Sequence, residues 1–217
     1  MKGKQLNSAA CARCPTSPPS PRPLPQLKEL LPAGRDTGKL RAFRNTMRIY
    51  CKSDSIAILE EEIGRLLREK GLTLSCAESC TGGLLSHRIT NTCGSSNYFK
   101  GAVLAYSNQV KTNLLGVPEE MLLKYGAVSS QVAKRMAEGV ASLLGADISL
   151  SITGIAGPSG GSKEKPVGLV YEALFDRGET LIKRFRFEGS REEIKEKAAT
   201  ASLEMLGERL GIEKDEV

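Results

Sequence analysis

The sequence predicts an α/β protein: a three-layer α/β/α sandwich whose mixed sheet is built from parallel βα units followed by an antiparallel hairpin. Three observations lead there. Short apolar runs alternate with segments of helical periodicity from residue 53 to residue 152. The runs end in turns of Ser, Thr, Asn and Gly, residues that release a strand and cap the helix that follows. Near the C-terminus, two strand-like runs flank Asp176-Arg177-Gly178-Glu179, which reads as a hairpin turn.

Each element has its own signal. From Ser53, the spacing of Ile56, Leu59, Ile63, Leu66 and Leu67, with Glu60, Glu61, Arg65 and Arg68 around the other face, predicts an amphipathic helix that Gly71 ends. Residues 73–77 are mostly small and apolar, which suits a buried strand, and Thr81-Gly82-Gly83 leads into a helix carrying Leu84, Leu85 and Ile89. Residues 101–106 give the next strand, and Ser107 or Asn108 caps a helix running to Leu115. Pro118 opens a short helix, and Ser129 caps a longer one containing Val132, Met136, Val140 and Leu143. A third strand at 148–152 ends in the turn Thr153-Gly154-Ile155-Ala156-Gly157-Pro158-Ser159-Gly160-Gly161. Runs at 167–175 and 180–187 form the hairpin, and an amphipathic helix at 190–210 closes the domain.

Charge is unevenly distributed. The first fifty residues hold ten Lys and Arg against two acids, whereas the rest of the chain holds 21 basic and 23 acidic residues. The formal charge of +6 therefore belongs to the N-terminal tail, and the folded part offers no basic stripe for nucleic acid. Few aromatics also argue against a stacking platform for single strands. Residues 1–46 are rich in Pro, Ser, Arg and Lys and lack the apolar content to order themselves, so they are expected to be disordered. A transit peptide or a misplaced start, with Met47 as the first residue, would each account for such a tail. The six cysteines are expected to be reduced thiols of a cytoplasmic protein. Cys11 and Cys14 have zinc-like spacing but no second pair of ligands, and no apolar run approaches the roughly 20 residues needed to span a bilayer.

In open α/β sheets, ligands gather at the carboxyl ends of the parallel strands. Three loops fall there. In the first, Ser79 and Thr81 precede a helix N-terminus that could host a nucleophile, an oxyanion or a phosphate, and Gly82 and Gly83 allow close approach to the backbone. Either hydroxyl could equally be only a helix cap. In the second, Lys111 lies about one turn into a helix and five residues past Tyr106, so both could face the strand ends. A buried lysine there could accept a hydroxyl proton, whereas a solvated one would be an ordinary helix residue. Tyr106 has a plain alternative as a strand-end core residue. The third loop has four glycines among small residues and could cradle an anion, or be a long turn before the hairpin. His87 has no partner in the pattern, which disfavours a Ser-His triad.

Together these motifs resemble the CinA C-terminal domain family, including its stand-alone nicotinamide-nucleotide amidases. The resemblance rests on Ala77-Glu78-Ser79-Cys80-Thr81-Gly82-Gly83, Gly94-Ser95-Ser96, Tyr106-Ser107-Asn108 with Lys111, Gly116-Val117, and Gly126-Ala127-Val128-Ser129. Thr153-Gly154-Ile155-Ala156-Gly157-Pro158 and Lys165-Pro166-Val167-Gly168 complete it. It implies an amidohydrolase domain at residues 52–210 that converts nicotinamide mononucleotide to nicotinate mononucleotide and ammonia, without metal or organic cofactor. By the same resemblance, Ser79 is the nucleophile with Thr81 as its rival, Lys111 is the base, and Tyr106 orients or relays the proton. Amides of residues 80–83 hold the oxyanion, while Asn108 and the loop Thr153, Gly154, Ile155, Ala156 and Gly157 bind phosphate or ribose. Many relatives carry a larger N-terminal domain that this polar tail cannot be. A catalytically silent nucleotide-binding module is the alternative function. The expected partner is a small nucleotide, with no membrane or nucleic acid, and with a homo-oligomer in keeping with enzymes of this size.

Overall fold

The computed structural model of the chain describes residues 54–212. The expectations for residues 1–46, Met47, Cys11, Cys14 and Cys51 lie outside them. In chain order the elements are α1 (Asp54–Lys70), β1 (Leu74–Glu78), α2 (Leu84–Thr90), a 3₁₀ turn (Ser95–Asn97), β2 (Phe99–Leu104) and α3 (Asn108–Leu115). They continue with α4 (Glu119–Tyr125), α5 (Ser130–Leu144), β3 (Ile148–Gly154), β4 (Leu169–Asp176), β5 (Glu179–Arg186) and α6 (Arg191–Leu210).

The five strands form one sheet in the order β2-β1-β3-β4-β5. β1 pairs parallel with β2 and β3, and the β3–β4 and β4–β5 pairs are antiparallel. Helices cover both faces, so the architecture is the mixed three-layer sandwich. On one face, Leu74, Cys76, Ile148, Leu150 and Ile152 pack against α1, α2 and α6 through Ile63, Leu67, Leu85, Ala198, Leu203 and Leu206. On the other, Ala77 and Val103 pack against Leu115, Val132, Met136 and Val140 of α3 and α5. β1 and β3 are buried on both faces, yet each alternates apolar residues with small or polar ones, Ser75 and Glu78 in β1 and Ser149, Ser151 and Thr153 in β3.

Small residues set the close spacing on the α5 side. Ser149 and Ser151 Oγ donate to the carbonyls of Ala137 and Ala133, both at 2.6 Å, and Thr153 Oγ1 donates to Ala127 O at 2.8 Å. These bonds satisfy hydroxyls that burial would otherwise leave unpaired. Where α5 crosses α3, a Cβ on Gly139 would stand 2.1 Å from Leu115 O, so only glycine permits the crossing.

The elements differ from the sequence-based expectation mainly at their ends. β1 is shifted one residue later, β3 continues to Gly154, and β2 leaves the ladder at Leu104 instead of Tyr106. The last difference has a local cause: Ala105 still donates its N–H to Glu78 O at 2.7 Å, but the carbonyls of Ala105 and Tyr106 accept from the Lys111 ammonium nitrogen. Ser107 then caps α3 by accepting from Val110 N–H. The turn between β4 and β5 has positive φ at both central residues, 45° at Arg177 and 107° at Gly178. That sense of turn matches the twist of a two-residue hairpin.

Candidate active site

The parallel register aligns the carboxyl ends of β1, β2 and β3 along one rim, with Glu78 opposite Leu104 on one side and Ile152 on the other. Ser79 follows immediately, anchored by donating its N–H to Ile152 O at 3.0 Å. Lys111 reaches the same point from the second turn of α3. Its Nζ lies 3.0 Å from Ser79 Oγ, 2.5 Å from Ala105 O and 3.5 Å from Tyr106 O. The side chain is 1% exposed, so a solvated helix lysine is not what the fold makes of it. Burial pushes the Lys111 amine below its usual pKa, partly opposed by the nearby Cys80 thiol.

Hydrogen-bond capacity then assigns roles to the atoms. A neutral amine has two N–H donors and one lone pair. Lys111 Nζ donates to Ser79 Oγ and to the two carbonyls, three oxygens that match the three donors of an ammonium; in the neutral amine the carbonyls can keep the two N–H groups and the lone pair faces Ser79 Oγ. A lysine that gives up one of these protons has its lone pair facing Ser79 Oγ.

The turn after Ser79 is organised from within. Gly82 N–H donates to Ser79 O at 3.2 Å. Gly83, Leu85 and Ser86 N–H all donate to the Glu78 carboxylate at 2.8 to 3.2 Å, joined by the Ser86 hydroxyl. Glu78 therefore occupies the α2 N-terminus that the sequence offered as an anion seat. Neither Ser79 nor Thr81 caps that helix; its N-cap is Gly83, with φ 98°. Among the described residues, the amides of this turn left without a partner in another residue are those of Cys80, Thr81 and Leu84. The first two directly follow Ser79 in the chain. Thr81 itself is fully buried and its hydroxyl has no partner, whereas Ser79 is 9% exposed and bonded to Lys111.

Tyr106 lies elsewhere. It is 62% exposed, and its hydroxyl accepts from Arg191 Nη2 at 3.1 Å instead of touching Ser79 or Lys111. Arg191 also donates from Nη1 to Gly157 O at 2.6 Å, so one guanidinium at the start of α6 ties the second loop to the third. Lys195, one turn further along α6, brings its Nζ to 3.6 Å from where a Cβ on Gly82 would stand. Sequence reasoning missed both cations. Their only signal is an i, i+4 spacing just after the Ser190 cap, which says nothing about what they face.

The third loop is partly committed to structure. The Thr153 hydroxyl is spent on Ala127, Gly154 still belongs to β3, and Ile155 exchanges backbone bonds with Leu169 and Gly168. Ala156 and Gly157 are buried, and their amides have no backbone partner among the described residues. Asn108 is exposed at the first position of α3. His87 is an exposed helix residue beside Asn91. Among the described residues, no cluster of three or more His, Cys, Asp or Glu could hold a metal ion, and no helix is long and apolar enough to cross a membrane.

Comparison with known proteins places this arrangement. The pattern of the CinA C-terminal domain matches residues 56–210. The chain belongs to the CinA C-terminal domain family. A CinA-like protein of Dictyoglomus turgidum is 49% identical over 169 residues, covering 78% of this chain and 41% of the relative. One from Geobacter sulfurreducens is 50% identical over 152 residues, 70% of this chain and 37% of that protein. The chain thus spans about two fifths of the length of the curated relatives it matches. Among solved structures, the competence/damage inducible protein CihA from Agrobacterium tumefaciens has a TM-score of 0.69 at 41% identity, over 71% of this chain and 94% of that one. A CinA superfamily protein from Escherichia coli has a TM-score of 0.69 at 31% identity, over 72% of this chain and 91% of that one. Crystallised chains of the family therefore share this domain's fold.

Proposed function

We propose that this CinA-family protein is an amidohydrolase that converts nicotinamide mononucleotide to nicotinate mononucleotide and ammonia, within pyridine nucleotide recycling. The observation that carries the reading is the buried Lys111 Nζ at 3.0 Å from Ser79 Oγ, with no carboxylate paired to the lysine among the described residues. A lysine desolvated in this way can serve as the base of a Ser-Lys hydrolase.

Lys111 takes the proton of Ser79 Oγ as that oxygen attacks the carboxamide carbon. The carbonyl oxygen becomes an oxyanion held by the Cys80 and Thr81 amides, each such donor contributing about 3 kcal/mol to the transition state. The carbon–nitrogen bond then breaks, and Lys111 returns its proton to the departing nitrogen, which leaves as ammonia. Water attacks the resulting ester and gives a proton to Lys111; the carbon–Oγ bond breaks, Lys111 returns that proton to Ser79 Oγ, and the acid product leaves as the carboxylate with its proton lost to solvent. The phosphate is assigned to the open amides of Ala156 and Gly157 together with Arg191, whose guanidinium has donors beyond the two already used. Tyr106 acts through Arg191 by fixing its orientation, and Asn108 at the start of α3 is left for the ribose.

Incubating purified protein with nicotinamide mononucleotide and measuring ammonia tests the reading. Release that disappears in Ser79→Ala and Lys111→Ala is expected. Tight binding of the nucleotide by calorimetry with no ammonia would instead establish a silent binding module.

A further inference from the structure

Glu172 has no part in the chemistry above, yet it is a fully buried carboxyl on β4, with only β3 between it and the strand that leads into the nucleophile. On β4 it is the register partner of Ile152, the residue whose carbonyl anchors Ser79 N–H, and Ile152 in turn pairs with Glu78 on β1. Two carboxyl groups therefore flank Ile152 in one row of the sheet. Their surroundings differ sharply. Glu78 receives three amides and a hydroxyl from α2. Glu172 receives one hydroxyl, Ser202 Oγ of α6 at 2.7 Å on Oε2, while its Oε1 is buried without a partner.

A carboxylate buried with one donor and one bare oxygen is far costlier than the neutral acid. The charges around it do not change that balance. Lys183, its cross-strand partner on β5, is bonded to Glu208 at 2.7 Å. From α6, Glu204 adds negative charge, and on the nucleophile turn the Cys80 thiol lies close enough to feel a charge on Glu172. Burial raises the Glu172 carboxyl to about 8, with Ser202 and Lys183 only partly opposing it.

We propose that Glu172 is a positioning residue for the nucleophile turn, an uncharged carboxyl beside Cys80 whose ionisation would oppose oxyanion formation at the Cys80 and Thr81 amides. The logic rests on the Ser79–Lys111 reading but not on the identity of the substrate. An oxyanion forms where those amides point, and an anion set against the same turn acts on it through a low-dielectric interior. Keeping Glu172 protonated keeps the field at the turn favourable. Ser202 fixes the orientation of the carboxyl without supplying enough donors to ionise it at neutral pH.

The test uses the full chain and p-nitrophenyl acetate, with acetylation of the Ser79 peptide followed by acid-quenched mass spectrometry across pH. The ratio of the Glu172→Gln rate to the wild-type rate, scaled to its own value near neutrality, cancels the titration of Lys111. That ratio is expected to rise through about pH 8. The rise should be about tenfold, the scale of a unit charge acting at about 10 Å with an effective dielectric of about 20. A flat ratio overturns the proposal, because a merely structural glutamate gives no titration step. If Glu172→Gln does not fold, Ser202→Ala decides: losing the hydroxyl that favours the anion should move the wild-type alkaline fall to higher pH, and an unmoved fall overturns the proposal. Absence of Ser79 acetylation at any pH overturns both this proposal and the nucleophile assignment. Acetylation with the expected ratio, but no ammonia from nicotinamide mononucleotide, removes only the substrate reading.

Discussion

Ser79 and Thr81 are two residues apart on one turn, and the fold treats their hydroxyls differently. Ser79 Oγ has a base at 3.0 Å, and Thr81 Oγ1 is buried with nothing to take its proton among the described residues. Ser79→Ala should therefore lower kcat for ammonia release by about 1000-fold or more, the scale of losing a nucleophile from an acting unit. Thr81→Ala, with its amide intact, should retain most of the activity. A Thr81→Ala enzyme that is dead while Ser79→Ala still turns over would transfer the attack to Thr81. Lys111 carries a separate prediction about pH. Its pKa is lowered by burial, so on the acid side activity should be lost as pH falls through that lowered pKa, whereas any loss on the alkaline side belongs to Glu172. Lys111→Arg keeps the charge but has no accessible neutral form, so it should be inactive at every pH at which the protein stays folded. Residue types alone could nominate Ser79 and Lys111. They could not reveal that Tyr106 faces Arg191, because that contact joins positions 85 residues apart in sequence.

At the scale of elements, the sequence was informative wherever one periodicity ruled a whole segment. The apolar stripe of α1, the serine caps of α3, α5 and α6, and the Arg177-Gly178 hairpin are all local signals. Strand ends were less legible, since the exit of β2 depends on the Lys111 side chain drawing two carbonyls out of the ladder. The crossing of α3 over α5 was not legible at all. A glycine inside a helix normally weakens it by about 1 kcal/mol relative to alanine, and nothing local indicates why Gly139 is there. The structure supplies the reason: its missing Cβ is where Leu115 O sits, at 2.1 Å. Since α3 carries Lys111, Gly139→Ala should push α3 outward and lift Nζ from Ser79. Destabilisation of about 2 to 3 kcal/mol is expected from such overpacking, together with a loss of Ser79 reactivity larger than the stability change explains. Urea unfolding and acetylation rates measured on the same variant check both parts; a stable variant with full reactivity would mean that the crossing does not set the dyad.

For the molecule as a whole, the sheet does more than layer the helices, because its register puts carboxyl groups of distant segments into one row. Glu172 illustrates what a sequence cannot reveal: it sits in an apolar run that reads as one strand of a hairpin, and neither its burial nor its neighbours can be inferred from β4 alone. Its consequence for stability has a definite sign. The carboxyl is raised from 4.5 to about 8 on folding, so the folded protein binds a proton that the unfolded chain has already lost between those values. Stability is therefore highest below about pH 4.5 as far as this group is concerned, falls as pH rises toward 8, and levels off once both states are ionised. The whole change is on the order of a few kcal/mol. Glu172→Gln cannot ionise, so the difference between its Tm and that of the wild type should grow across this range by about 4 °C or more and stay constant above it. Thermal unfolding followed by circular dichroism at pH 5, 7 and 9 would measure it. A difference that does not change with pH would show that Glu172 is ionised, or solvated, in the folded protein. The cross-strand Lys183 would then have to give up Glu208 and turn to Glu172, and Lys183→Met would in that case lower stability most at high pH.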